Sequence, residues 1–483
     1  MLKRLHPSLV LLSLLLAAAT AAPAAPARPN VLLILSDDLA AHLGTYGHPL
    51  AQTPHLDRLA ARSVRFDRAY CQFPHCNPSR ASMMSGLRPN TTRVTLNSDN
   101  LYDNLPGVVT LPHHFRRNGY ATARYGKIFH LGVPTGDESR DDPQAWDFGL
   151  PFKDERPYPP NRDSAVQVKT GKKQGLTWQE STADDNGLVD GGFARGAVEW
   201  LERRDPAKPF LLAVGFHRPH LPFVAPAKYY DLYPIDRIKL PVEPENDEAD
   251  IPLPARNEAV PQYAMTATPE QRRAAIRAYL ATVSYMDAQA GRVLDALDRL
   301  KLTDNTIIVF AGDHGWHLGE HNLWHKRSLF EPSARVPFIV RAPGARGNGR
   351  ASRSVVELLD IYPTVCDLAG VTPPSGLEGR SLRAVLDDPG VRVHEGAFSQ
   401  ARRGADASNW GRSVRTDRWR CTEWDEGRNG IELYDHDADP GEFTNLAHDP
   451  RHAAVLRELR ALLARQLPPI PPIPPAPVAP RAK

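Results

Sequence analysis

Short, wholly apolar runs alternate with segments of helical period through the first three quarters of the chain. Asn30 and Ser36 enclose an unbroken VLLIL run, suited to a central parallel strand buried on both faces. Residues 209–216 (PFLLAVGF) and 306–311 (TIIVFA) read the same way. Residues 64–70 alternate as a strand, and residues 120–126 form one after a helix over 111–118 that stops at Gly119. Further helices are expected over 53–62, with a Thr53 cap and Pro54 in the first turn, and over 186–204. The Thr268–Gln271 capping box opens one running to about residue 300, with a possible break at Gly291. A second capping box, Ser354–Glu357, opens a helix ending near Gly370. Repeated strand–helix alternation predicts an α/β fold, a large, mostly parallel sheet covered by helices.

Elsewhere the pattern changes. Residues 151–185 are polar and proline-rich, a long surface loop of the kind that carries function. Beyond about residue 374, segments 411–424 and 431–440 read as antiparallel strands with polar turns, followed by a charged helix over 451–466. The expected organisation is a signal peptide over 1–22, a catalytic domain over 29–374, a smaller α+β subdomain over 375–466 and a polyproline-like tail over 467–483. In the first segment, Lys3 and Arg4 precede an apolar run over 9–19 and small residues at 19–22. That is the form of a secretory signal, and it predicts a secreted or periplasmic protein. The run is too short for a membrane span, and no later segment approaches one, so no integral membrane protein is expected.

Composition adds limits. Of 483 residues, 41% are hydrophobic and 24% charged, ordinary for a globular protein, and a net charge of +3 argues against nucleic acid as a partner. Four cysteines in an exported chain allow two disulfides. Cys71 and Cys76 lie close together and Cys366 falls in an apolar helical pattern, so at most one bridge is expected.

Two apolar strands deliver potential ligands at their ends, Asp37 with Asp38 and Asp313 with His314. Three carboxylates favour a hard cation, calcium first and magnesium or manganese next. Lys127 and His130 follow one strand, and His217 to His220 follow another. Cys76 stands before Pro78-Ser79-Arg80 at the start of a helix, where unsatisfied N–H groups favour an anion. Taken alone, a cysteine in that position more often only packs.

The pentapeptide Cys76-Asn77-Pro78-Ser79-Arg80 resembles the C-x-P-S-R motif of type I sulfatases of the alkaline phosphatase superfamily, in which a maturation enzyme converts the cysteine to formylglycine. The resemblance runs collinearly through SDDL, GYATARYGKIFH, FLLAVGFHRPHLPF, TIIVFAGDHGWHLGEHNLWHKRSLFE and ELYDHDADPGEFTNL. It looks most like the iduronate-2-sulfatase branch. It implies that Cys76, as hydrated formylglycine, is nucleophile and metal ligand, and that Asp37, Asp38, Asp313 and His314 complete a calcium shell. Asp313 would also accept the nucleophile's proton, and Arg80 would hold the formylglycine side chain. Lys127 and Lys326 would bind sulfate oxygens, His217 would protonate the leaving alcohol, and His130 would act as base in the second half of the reaction. Trp316, Trp324 and His325 are candidates to face a sugar, while His220, His317 and His321 read mostly as supporting or surface residues. The implied substrate is a 2-O-sulfated uronic acid of a glycosaminoglycan-derived saccharide. One departure is that Leu39 is followed by Ala40-Ala41-His42, where that branch tends to carry a basic residue. The rival readings are a phosphonate or phosphate monoester hydrolase of the same superfamily and a non-catalytic sulfated-glycan binder with Cys76 unmodified.

Overall fold

A computed structural model of the chain describes residues 28–130, 141–142, 144–151, 166–167, 176–256, 267–403 and 409–468. The expected signal segment, most of the proline-rich tail and most of the 151–185 segment lie outside them. Eight strands form the central sheet: β1 (Asn30–Asp37), β2 (Val64–Tyr70), β3 (Ala121–Gly126), β4 (Phe148–Pro151), β5 (Phe210–Pro219), β6 (Thr306–Gly312), β7 (Arg335–Arg341) and β8 (Ala351–Glu357). Their order is β8-β2-β7-β6-β1-β5-β3-β4, with only β7 antiparallel to its neighbours. β1 sits at the centre, and its alternate residues serve two cores. Leu32 and Ile34 pack with Ala194 and Ala197 of α2 (Val189–Arg203) and with Tyr279 and Val283 of α3 (Pro269–Arg299). Val31, Leu33 and Leu35 pack on the other face with Met83 and Met84 of α1 (Cys76–Ser85). Burial on both faces explains the unbroken apolar run.

The Thr268–Gln271 capping box forms as expected, but Gly291 does not interrupt α3. A Cβ there would lie 2.2 Å from His55 Nδ1, so the glycine lets the helix over Pro54–Ala60 approach closely. Three other expectations need correction. Ser354–Glu357 is no helix start, since these residues belong to β8, paired with β2; the box is formed by Glu357 and Asp360, ahead of the helix Ile361–Ala369. Thr53 does not cap with its side chain; its hydroxyl accepts from Gly44 N and donates to Asp57. Within the expected 151–185 loop, Thr177–Ser181 is a strand paired with Phe223–Pro226. All four cysteines are buried and unbridged.

The strands Ala397–Arg403, Asn409–Arg415, Trp419–Trp424 and Ile431–Asp435 form an antiparallel sheet packed by the helix Ala453–Gln466. A buried charge cluster ties this sheet to the central one. Arg420 is shared between Glu442 and Glu331, and Glu331 N donates to Glu442 at 2.7 Å. Burial alone would raise the Glu331 carboxyl, but Arg415 and Arg420 outweigh it and hold it at about 2. Removing one member strands a buried charge, so Arg420→Met is expected to cost about 3–5 kcal/mol in denaturant unfolding. The sign of the pH effect follows from the depressed carboxyl: stability is full above about pH 4 and drains as the pH falls towards about 2. Near-ultraviolet circular dichroism of the C-terminal tryptophans should lose intensity over that interval at low denaturant, and an unchanged signal down to pH 2 would refute the linkage.

Candidate active site

The carboxyl ends of β1, β6, β3 and β5 point to one edge of the sheet, where open α/β sheets bind ligands. β1 and β5 slip register between Ser36 and Asp37, so that Asp37 pairs with Pro219 as the last residue of the ladder and Asp38 lies just beyond it. Asp38 adopts φ 61°, a costly conformation for a residue with a Cβ. Three bonds hold it: Asp38 N donates to Asp313 Oδ1 at 3.0 Å, and the Tyr279 hydroxyl donates to Asp38 O at 2.9 Å and accepts from Ala40 N at 3.0 Å. Asp190 of α2 fixes the corresponding turn of β5, accepting from the backbone N–H groups of His217 and Arg218 at 2.8 and 2.9 Å.

Cys76 opens α1 from the opposite side. Asn77 anchors that start, donating from its side chain to the carbonyls of Leu96 and Asp99 and from its backbone to Asn97. Cys76 Sγ lies 3.4 Å from His314 Nε2 and 3.2 Å from Lys326 Nζ. Ligand atoms of Asp37, Cys76, Asp313 and His314 all fall within 4.8 Å of one another. Asp38 joins them, its Oδ1 3.3 Å from His314 Nε2. Lys127 Nζ reaches Asp37 Oδ2 and Lys326 Nζ reaches Asp38 Oδ1, each at 2.5 Å. The Arg80 guanidinium binds Asp313 Oδ2 at 2.8 Å and the carbonyls of Lys127 and Ile128, leaving Nη2 3.5 Å from Asp37 Oδ1. It clamps the carboxylates and the end of β3 together.

Each of the three carboxylates at this site faces a cation, Asp37 with Lys127, Asp38 with Lys326 and Asp313 with Arg80. Asp37, Asp38 and Asp313 are all fully buried. Burial, with Asp37 adding its charge, drives the Asp38 carboxyl up to about 8 against the pull of Lys326 and His314. Asp37 Oδ1 and Asp38 Oδ2 are buried without a hydrogen bond. Against burial, Asp313 and Cys76 raise His314 to about 9, so its ring is a cation here; Nδ1 lies 3.0 Å from Gly315 O, and Nε2, which faces the carboxylates, is the nitrogen that a metal ion would take in place of its proton. These oxygen donors with one imidazole fit a hard divalent ion. Burial and Asp37 push the Cys76 thiol up, yet Lys127, Lys326 and His314 together bring it below its ordinary value.

His130 and His217 are neutral. Burial and then Lys127 press His130 down to about 2, and burial and then Arg218 hold His217 well below the usual range. His217 Nδ1 is 3.7 Å from Asp37 Oδ2. His220 lies closer to the chemistry than its sequence suggested, with Nε2 3.7 Å from Asp38 Oδ2 and its ring 4.7 Å from that of His217. Trp316 and Trp324 require correction as sugar-facing residues. Each is 1% exposed, within the core. Trp316 stands behind Lys326, whose Nζ lies 5.5 Å from its ring centre, and props that lysine from beneath. His317 and His321 are buried in partner bonds to Ser328 and Asp247, away from the cluster. Tyr279 and Asp190 carried no sequence signal, because each acts only on backbone groups of a distant turn.

Comparisons with known proteins agree with this geometry. Residues 29–371 match the family model described as Sulfatase, and residues 319–467 match one described as N-sulphoglucosamine sulphohydrolase, C-terminal. Iduronate 2-sulfatase of Mus musculus is 33% identical over 523 residues, covering 89% of this chain and 93% of the relative. A Delta 4,5-hexuronate-2-O-sulfatase of Bacteroides thetaiotaomicron is 32% identical, over 90% of this chain and 88% of its own. Among solved structures, a phosphonate monoester hydrolase of Agrobacterium radiobacter superposes with a TM-score of 0.75 at 24% identity, over 91% of this chain and 96% of that one, a likeness of fold alone. With the family model spanning the whole central sheet and the site at its edge, the chain belongs to the sulfatase family, a sulfuric ester hydrolase with the alkaline phosphatase-like fold.

Proposed function

We propose that the protein hydrolyses the 2-O-sulfate of a uronic acid in glycosaminoglycan-derived saccharides, outside the cytoplasm, after a maturation enzyme has converted Cys76 to formylglycine. The observation that carries this reading is the convergence of Asp37, Asp38, Cys76, Asp313 and His314 at one sheet edge, flanked by Lys127 and Lys326. The 2-O-uronate assignment draws on the names of the two curated relatives. Export rests on the residue pattern at 3–22.

Formylglycine, when hydrated, supplies a hydroxyl nucleophile where the thiol now stands. Calcium, held by Asp37, Asp38, Asp313 and His314, would supply Lewis acidity towards that hydroxyl and the sulfate oxygens. The remaining work falls to the chain's own groups. Lys127, buried, and Lys326, partly buried, are cations on either carboxylate of the pair, placed to meet the charge that grows on the sulfate oxygens. Arg80 fixes Asp313, the acceptor for the nucleophile's proton. His217 is the donor to the leaving alcohol; burial keeps it neutral until an anionic ester enters. His130 Nδ1, buried without a hydrogen bond, is the lone pair available for the proton lost in the second half of the reaction.

Replacing Lys127 or Lys326 with alanine is expected to lower kcat/KM about a hundredfold, close to 3 kcal/mol of transition-state stabilisation. Steady-state assays on an aryl sulfate read this directly, and a change under threefold would remove that lysine from the mechanism. The substrate class is tested with sulfated disaccharides: those bearing 2-O-sulfate on the uronic acid should turn over, and N- or 6-O-sulfated glucosamine should not. Because a phosphonate monoester hydrolase shares the fold, paired aryl sulfate and aryl phosphonate esters are the control. Faster turnover of the phosphonate would favour that second reading.

A further inference from the structure

The chain turns back on itself just before it reaches Lys326. His317–Leu318 pairs antiparallel with Trp324–His325, and His321 and Asn322 at the tip hold φ 54° and 53°, a costly conformation for residues with a Cβ. A second segment, residues 243–248, lies across that tip. His321 N donates to Glu243 Oε2 at 3.0 Å, His321 Nδ1 lies 3.0 Å from Asp247 Oδ2, and Asn322 Nδ2 donates to Glu248 Oε1 at 3.2 Å. The His321 ring is held by stacking on Phe330, with centroids 4.1 Å apart.

One ligand atom from each of Glu243, Asp247 and His321 falls within 4.8 Å of the others. An ion about 2.0–2.4 Å from each of its ligands bridges atoms at that spacing. The hydrogen bonds leave the group unsatisfied. Asp247 is 3% exposed, and its Oδ1 is buried with no partner, on the carboxylate whose other oxygen faces His321. A bare buried carboxylate oxygen is costly and calls for a cation or a donor. The catalytic carboxylates each face a lysine or arginine, whereas among the described residues neither Glu243 nor Asp247 is ion-paired to one. Beside the group lies a cavity of about 280 Å³, bordered by Glu243, His321, Glu320, Glu442 and by His42, whose Nε2 is likewise buried without a partner. It has room for the waters that would complete a coordination shell.

We propose that Glu243, Asp247 and His321 hold a second divalent cation, of the zinc or manganese class, separate from the catalytic cluster. Two carboxylates with an imidazole are a donor set for such an ion, while oxygen ligands alone would favour calcium. The ion clamps the 243–248 segment onto the hairpin tip, and so steadies the strand Trp324–His325 that leads into Lys326. Among the described residues, none of the three bonds to Asp37, Asp38, Cys76, Asp313 or His314, so the site does not depend on which sulfate ester is cleaved.

The test titrates zinc chloride into the intact enzyme saturated with calcium, followed by isothermal titration calorimetry. A single zinc ion per chain should bind, and manganese should compete for it. His321→Gln and Asp247→Asn should each weaken zinc at least about tenfold, the lower end of what a disturbed metal shell costs. Glu243→Gln should do the same and, at a partly exposed position, keeps the test decisive if the buried variants fail to fold. Asp38→Asn, which damages the catalytic cluster, should leave zinc affinity within about twofold, as distant sites do. Hydrogen exchange reads the clamp itself: zinc should slow amide exchange across 317–326 in the wild type and not in Glu243→Gln. Absence of stoichiometric zinc binding overturns the proposal, as does equal binding by wild type and Glu243→Gln. Binding lost in Asp38→Asn but kept in Glu243→Gln would place the ion in the catalytic cluster and overturn it as well.

Discussion

Cys76→Ala is expected to fold normally and to lose turnover of any sulfate ester by at least about 10⁴-fold, as removal of a nucleophile does in other hydrolases. The folding half of this expectation follows from position. Cys76 is the first residue of α1, alanine is the best helix former, and the thiol's contacts are with Lys326 and His314 rather than with the apolar core. The loss of activity follows from chemistry, because Cys76 is the residue that clusters with Asp37, Asp313 and His314, while the neighbouring Ser79 hydroxyl is engaged in donating to Asp313 O. Circular dichroism and thermal melting establish the fold, and an aryl sulfate assay reads turnover. A variant that retained more than a hundredth of wild-type activity would mean that residue 76 is not the nucleophile.

The second large effect concerns the cation. Dialysis against a chelator is expected to abolish turnover and to lower the melting temperature, with calcium restoring both more effectively than magnesium. The stability change has a direct cause. Asp37, Asp38 and Asp313 are buried within a few ångströms, and Lys127, Lys326 and Arg80 offset only part of their repulsion. At a calcium concentration a hundred times its dissociation constant, binding adds about 2.7 kcal/mol to the folded state. The melting shift does not depend on activity, so it separates loss of the ion from loss of the nucleophile. Asp38→Asn should remove most of the calcium-dependent shift. A melting temperature indifferent to both chelator and calcium would contradict the site.

How far the chain could be read varied with the physics of each element. β1, β5 and β6 were legible because strands buried on both faces must be apolar throughout, and polar residues at their ends stand out against that background. The Thr268–Gln271 box was legible because both of its bonds are local. Ser354–Glu357 carries the same spacing and misled: Val355 and Val356 favour a strand, and pairing with β2 outweighs the local cap. The catalytic candidates at strand ends converge as anticipated, whereas the turn holding Asp38 at φ 61° depends on Tyr279, more than two hundred residues away. Trp316 illustrates the reverse error, since an aromatic residue beside a candidate site suggests a sugar platform while its burial makes it a support for Lys326.

The chemistry turns on what residue 76 becomes. Trypsin releases residues 69–80, a peptide with two cysteines, Cys71 and Cys76. In active enzyme from a host able to mature it, alkylation should tag Cys71 alone, and residue 76 should weigh one sulfur and two hydrogens less, and one oxygen more, than cysteine. A peptide from fully active enzyme that takes two alkyl groups, with an intact thiol at Cys76, would contradict the account at its centre.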